Sequence, residues 1–320
     1  MTSPSFPMGT VPDDNYEDTM RSPLPSSMLT KSSISLNPAY SPSSSSPLRF
    51  WRPAAQRNIK NQWSKIRLTK DDWVSASSKG RSHATNLVNA YLERKYMPDW
   101  NLGVLTDMPQ IRGEACNKLS YNQELFRKKL VSSYKDMVVA VKDLVKASCS
   151  MRCYLKESGS NPIIQFSDHQ GNPNDCGDGG GIPVFSCLSI THFEDLACEL
   201  VEMFRQELSL KRFLVIALQS VNCGEDEGTD DVFSWSNELY HGEFLDLASS
   251  GMPIQDSYPI QPQLKGEEPS DPLNKATIKS TNHKTLEVYL TTWLVDLNIE
   301  EQRVIEILCI VEEEMKAKLR

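Results

Sequence analysis

The chain has 320 residues, with 34 Lys+Arg against 42 Asp+Glu, a formal net charge of -8 and a hydrophobic share of 39%. That length predicts one or two domains, and the low hydrophobic share predicts that part of the chain stays outside any packed core. No run approaches the roughly 18 apolar residues of a membrane span, Met1 to Pro12 lacks the charged-then-apolar layout of a secretory signal, and the acidity argues against a general nucleic-acid coat while leaving room for a local basic patch.

Met1 to Pro47 holds 13 Ser and 8 Pro, and its few apolar residues follow neither a helical nor a strand period. It reads as a disordered tail, because it cannot bury enough apolar surface to offset its ordering entropy. Ser-Pro steps recur at Ser3, Ser22, Ser41 and Ser46. An extended, accessible Ser-Pro step is what a proline-directed kinase needs, which makes Ser22, Ser41 and Ser46 the phosphorylation candidates. Ser46 stands out: Ser46-Pro47-Leu48-Arg49 places a basic residue three positions after the serine and resembles the full cyclin-dependent kinase consensus. A phosphate there would lie beside Arg49 and Arg52.

The composition then flips. Arg49, Arg52, Arg57, Lys60, Lys65, Arg67 and Lys70 follow with no acid between them, and Phe50, Trp51 and Trp63 interleave. Three readings stand. Such a segment can track phosphates and stack bases. It can dock on an acidic protein surface or serve as a nuclear import signal. Or the tryptophans anchor it to the domain while its charges face water.

Helical periodicity comes next. Leu87, Val88, Tyr91 and Leu92 form an amphipathic stretch within Thr85 to Met97, stopped by Pro98. A short helix is expected from Asp107–Pro109 to about Leu119. Ser120-x-x-Gln123 looks like a capping box, opening a long helix to about Lys156 with Phe126, Leu130, Tyr134, Met137, Val141 and Leu144 on one stripe. Pro162 to Phe166 and Ile182 to Phe185 look like two short strands around a glycine- and aspartate-rich loop. That loop lacks the Gly-Lys-Ser/Thr of a phosphate-binding loop and the closing glutamate of a calcium loop. Thr191-x-x-Glu194 suggests another capping box, leading to one bent helix or to two helices meeting near Ser209.

From Cys223 to Pro272 there are twelve acids against Lys265 alone. Within this acidic stretch Trp235, Tyr240 and Phe244 are either a docking segment for a basic or grooved partner or part of a packed helix from Ser234 to Ala248. Leu286 to Leu297 forms another helical stripe. Asn298 with Glu301 is expected to cap a last helix carrying Val304, Leu308, Val311, Met315 and Leu319. So short a pair cannot form a core alone and must dock on the bundle or on another chain.

The eight cysteines, at 116, 149, 153, 176, 187, 198, 223 and 309, are scattered and read as reduced intracellular thiols. Cys149 and Cys153 would share a helix face, but no second pair completes a zinc set. The histidines, 83, 169, 192, 241 and 283, fall in no His-Glu-x-x-His arrangement. His192-Phe-Glu194 and His241-Gly-Glu243 lack the Pro-Cys-x-x-Cys partner of zinc deaminases. Nucleophile-elbow, kinase and dinucleotide-binding signatures are also missing. No catalytic residue, cofactor or metal is therefore assigned.

Arg52-Pro-Ala-Ala-Gln-Arg-Asn58, Gly80-Arg-Ser-His-Ala-Thr-Asn-Leu-Val-Asn89, Leu102-Gly-Val-Leu105 and Trp235-Ser-Asn-Glu-Leu-Tyr-His-Gly-Glu-Phe244 together resemble a family of uncharacterised land-plant proteins, from about Pro47 onward. The resemblance implies a plant origin and an intracellular, nuclear site; it brings no activity, cofactor or catalytic residue.

The expectation is a mainly α protein: a helical bundle with a short β-hairpin insertion, a disordered Ser/Pro-rich N-terminal tail and a C-terminal helix pair. Its divisions are a tail at 1–47, a basic-aromatic segment at 48–79, a helical bundle at 80–222 with a hairpin insertion near 160–187, an acidic linker with a short helix at 223–282, and the helix pair at 283–320. The function expected is a non-enzymatic nuclear adaptor for protein partners, switched by a proline-directed kinase in cell division or meiosis. Arg49, Trp51, Arg52, Arg57, Trp63, Arg67, Trp235, Tyr240 and Phe244 are its docking candidates. Nucleic-acid binding through 47–70 is the alternative, and an unrecognised enzyme the second. No membrane contact is expected, and the cytoplasm is the alternative compartment.

Overall fold

Among the described residues six helices make a mainly α fold, with two small antiparallel hairpins inserted between them. The structure, a computed structural model, describes residues 48–108, 110–156, 163–166, 175–221, 234–262 and 283–319, all within one unit, Ser45–Arg320. The tail calls at Ser22, Ser41 and Ser46 lie outside the described residues.

Helix α1 runs without interruption through Leu48–Tyr96, 49 residues or about 73 Å at 1.5 Å per residue. The sequence reading divides it at 79/80, between a basic segment and a bundle. What joins the halves is a buried stripe at helical spacing: Trp51, Ala55, Ile59, Trp63, Ile66, Thr69, Trp73, Ala76, Gly80, Ala84, Leu87 and Tyr91. Many of these are small or polar, so the stripe does not stand out as an aliphatic pattern. Pro53 lies in the second turn, where it forgoes only the bond to residue 49.

Helix α2, Ile111–Ser148, is also continuous. Ser120 therefore lies inside it and opens nothing. The helix ends at Ser148, so Cys149 and Cys153 are not on one helical face: Cys149 is exposed, Cys153 buried. Helix α3, Ile190–Gln219, is a single helix through Ser209. It begins one residue before Thr191, and Ser189 precedes it in extended conformation with its hydroxyl 2.9 Å from His192 Nδ1. Glu194 does not fold back as a cap; it takes a forked ion pair from Arg152 at 2.9 Å.

These three helices form the core. Trp63 meets Phe193 edge-on at 6.5 Å, and Trp73 meets Phe204 at 5.3 Å. Between α2 and α3, strand β1 (Tyr154–Lys156) pairs with β2 (Ile163–Gln165), Tyr154 opposite Gln165. Ile182 to Phe185 is not the second strand; it is an irregular loop whose backbone is held by side chains. After α3, residues 234–242 form turns and only Glu243–Ser249 is helical (α4), shorter than the expected 234–248. A second hairpin pairs β3 (Ile254–Gln255) with β4 (Tyr258–Pro259).

The C-terminal pair, α5 (His283–Val295) and α6 (Glu301–Met315), docks in cis. Trp293 Nε1 donates to the Ser77 carbonyl of α1 at 3.1 Å, and a Cβ on Gly80 would come within 2.6 Å of the Trp293 ring. Asn298 does not cap α6; Glu300 holds that position, and Asn298 donates to Glu207 of α3 from both its backbone and its side-chain nitrogens. No described helix is long and apolar enough to cross a membrane.

Candidate protein-interaction surfaces

The aromatic docking candidates turn inward. Trp51 and Trp63 are buried core residues. Trp51 donates to the Cys153 carbonyl at 2.8 Å and covers Gly179, where φ is +69° and a Cβ would come within 2.3 Å of the indole. Only glycine tolerates both that backbone and that approach. Trp235 is buried beneath the Arg212 guanidinium and donates to the Pro259 carbonyl at 2.7 Å. Phe244 packs on the same guanidinium, and Tyr240 donates to Asp246 at 3.2 Å with Lys135 over its ring. A side chain that holds its own fold cannot also be a free docking anchor, so Trp51, Trp63 and Trp235 are corrected to structural roles.

Most of the basic residues are engaged as well. Arg52 donates to the carbonyls of Pro183, Val184 and Phe185 at 2.8–3.2 Å. Lys60 stands over the Phe185 ring, Arg67 pairs with Glu312 at 2.8 Å, and Lys65 and Lys70 approach Asp143 and Asp71. Arg49 and Arg57 are the members of this set that point outward. Arg49 lines an open 390 Å³ cavity with Trp51, Arg52, Pro53, Gln56 and Ile182. From the other side, Glu314 of α6 accepts the backbone N–H groups of Ser186, Cys187 and Leu188 at 2.5–2.8 Å; burial works to raise its carboxyl pKa, but these three donors and Lys316 together outweigh it and hold the carboxyl below the ordinary glutamate value. The 182–188 loop is thus held by a cation on its carbonyls and an anion on its amides.

Two consecutive buried cations on α3 secure the outer elements. Arg212 pairs with Glu243 at 2.8 Å and donates to the carbonyls of Trp235 and Asn237. Tyr134 donates to the same Glu243 at 2.8 Å, and burial, then that carboxylate, pushes its hydroxyl pKa well up. Lys211 donates to the Trp293 carbonyl at 2.7 Å and lies 2.8 Å from Glu207 and 2.7 Å from Asp296. The two carboxylate contacts are close charge pairs rather than aligned hydrogen bonds. Burial raises the Asp296 pKa despite its neighbour.

Among the described residues, chemistry-bearing groups do not converge elsewhere. His192 touches Ser189, His83 has its pKa lowered by burial and by Lys129, and burial pushes the Cys153 thiol up to about 11. Among the described residues no group of three or more His, Cys, Asp or Glu is placed to hold a metal ion.

The surface that sequence reasoning missed is the far end of the α1–α2 pair. Arg127 donates to the Val221 carbonyl, and Gln219 donates to that of Arg127. Helix α3 therefore ends beside Arg127, and residues 111–126 of α2 extend past it by roughly 24 Å. Within that stretch only Gln123 is buried, donating to the Ala90 carbonyl at 3.1 Å. On the loop at the tip Trp100, Val104, Leu105 and Met108 are exposed, Val104 to 90%, and Tyr96 at the end of α1 and Tyr121 within α2 are exposed as well. The loop between α1 and α2 is braced by hydrogen bonds. Arg112 donates to the carbonyls of Met97, Pro98 and Trp100 at 2.5–2.8 Å. Asn101 accepts the Gly103 N–H at 2.9 Å, and Thr106 donates to the Gly103 carbonyl at 2.7 Å. The available signal was Trp100 and Leu102-Gly-Val-Leu105, apolar residues between two proline-bounded helices.

No protein-family model matches the chain, and no curated protein matches it.

Proposed function

We propose that this chain is a non-enzymatic adaptor of the nucleus that binds a protein partner through the tip of its α1–α2 arm. The observation that carries this reading is the cluster of large apolar side chains exposed on a loop fixed by Arg112. Contiguous exposed apolar side chains mark interaction sites, aromatic anchors dominate binding energy, and a loop already held in one conformation loses little entropy on binding. Trp100, Val104 and Met108 are the anchors; Arg49 and Arg57 supply charge at the opposite end of α1. Ser46 precedes the first residue of α1 by two positions and Arg49 by three in the sequence, and a phosphate is favoured near a helix N-terminus and a cation. That supports control by a proline-directed kinase, of the kind active in cell division or meiosis.

The test is affinity purification of the full chain from nuclei of dividing cells, comparing wild type with Val104→Asp and Trp100→Ser. Both positions are exposed, so melting temperatures should be unchanged while the partner is lost. Retention of the same partners by both variants overturns the tip as the binding surface. Ser46→Ala and Ser46→Asp, run alongside, should recover different amounts of partner; equal recovery rejects the phosphorylation switch and leaves the tip standing.

A further inference from the structure

A three-helix core has three inter-helix grooves, and here two are covered. Between α2 and α3 lie residues 234–262, tied by Arg212 to Glu243 and by Lys142 to Asp246. Between α1 and α3 lie α5 and α6, tied by Lys211 to Asp296 and by Arg67 to Glu312. These four ties place the cation on the core and the carboxylate on the docked element, while Arg303 of α6 reverses that order by pairing with Glu199 of α3 at 2.6 Å. The third groove, between α1 and α2, is open among the described residues and encloses 270 Å³. Its lining is small at Ala76 and Ala140, polar at Thr69 and Ser75, and apolar at Val139, which is 44% exposed. Its rim carries Asp72, Asp136 and Asp143 against Lys79. Among the described residues Asp72 and Asp136 have no hydrogen-bond or ion-pair partner, and Asp143 reaches Lys65 at 3.9 Å.

We infer that this groove is a docking site for a basic amphipathic helix of a partner protein. The shape argument is that two antiparallel helices with alanines facing the gap let a third backbone approach closely. The charge argument is that Asp72, Asp136 and Asp143 outnumber Lys79 on this rim, so an occupant that brings cations is complementary to it. The site is separate from the arm tip and does not depend on it.

The experiment uses the full chain and a fluorescent synthetic helix bearing an alanine stripe flanked by lysines, with a glutamate-for-lysine version as control, read by anisotropy. The lysine helix should bind and weaken as salt rises; the glutamate helix should not bind. Asp72→Asn/Asp136→Asn should weaken binding roughly tenfold, and Val139→Arg should abolish it. Val104→Asp at the arm tip should leave it unchanged. All substituted groove residues lie at the surface, and an unchanged melting temperature verifies the fold. No binding of the lysine helix, or equal affinity for the Asp72→Asn/Asp136→Asn variant, overturns the inference. So does a wild-type dimer that Val139→Arg converts to monomer, which makes a second copy the occupant. Binding only after Lys275→Glu/Lys279→Glu also overturns it, by making residues 263–282 of the same chain the occupant.

Discussion

Three buried tryptophans of α1 differ in a way that side-chain size does not reveal. Trp51 spends its indole N–H on the Cys153 carbonyl, while the buried Nε1 atoms of Trp63 and Trp73 find no acceptor among the described residues. A buried donor left unpaired already carries a desolvation cost of about 1–3 kcal/mol, whereas a made bond contributes about 1 kcal/mol net. Trp73→Phe removes an unpaired N–H along with some volume. Trp51→Phe removes volume and also strands a buried carbonyl. Denaturant unfolding should therefore show Trp51→Phe to be more destabilising than Trp73→Phe by about 1–2 kcal/mol; an equal loss would mean that volume alone sets the cost. This distinction was not legible in the sequence, because nothing local to a tryptophan says whether a carbonyl from a hundred residues away will meet it.

Among the elements, the 182–188 loop shows how irregular backbone becomes fixed. It has no ladder of its own, so Arg52, Gln56 and Glu314 satisfy its polar groups from α1 and α6. The Glu314 carboxyl is held below its ordinary 4.5, so the folded state binds its proton less readily than the unfolded state. Its contribution to stability is therefore present above about pH 4.5 and is lost as pH falls through that value toward the folded pKa. Glu314→Gln should lower the melting temperature at pH 7 by an amount equivalent to about 1 kcal/mol. The difference from wild type should shrink as pH drops below 4.5. A difference that stays constant with pH would show that packing, not the carboxylate, holds the loop. The strand expected at Ile182–Phe185 failed for the same reason: the apolar run is real, but side chains rather than a neighbouring strand take its hydrogen bonds.

For the whole molecule, Lys211 and Arg212 link the core to everything laid over it. They are adjacent in sequence and diverge on α3, Lys211 toward the C-terminal pair and Arg212 toward residues 235–244. Removing one partner of a buried pair costs about 3–5 kcal/mol, because the other charge is left uncompensated. Lys211→Met should accelerate amide exchange in 283–319 while sparing 234–262, and Arg212→Met should do the reverse. Acceleration in both regions from either substitution would show that the outer elements unfold as one unit.

Fold class, the helical stretches and the docking need of residues 283–319 followed from the sequence, because burial of a stripe repeated at helical spacing is a local physical requirement. The lengths of α1 and α2 did not. A stripe of Trp, Ala, Thr and Gly becomes a core face only when α2 and α5 are there to fill it, as Trp293 does over Gly80. The candidate site was legible only in part. Basic and aromatic residues were visible at 48–70, but tertiary contacts alone decided that Trp51 and Trp63 point into the core and that most of the cations are engaged. Likewise Trp100 and Val104 are ordinary apolar residues by composition. They became a surface because α3 ends at Gln219 and, among the described residues, nothing covers the arm beyond it.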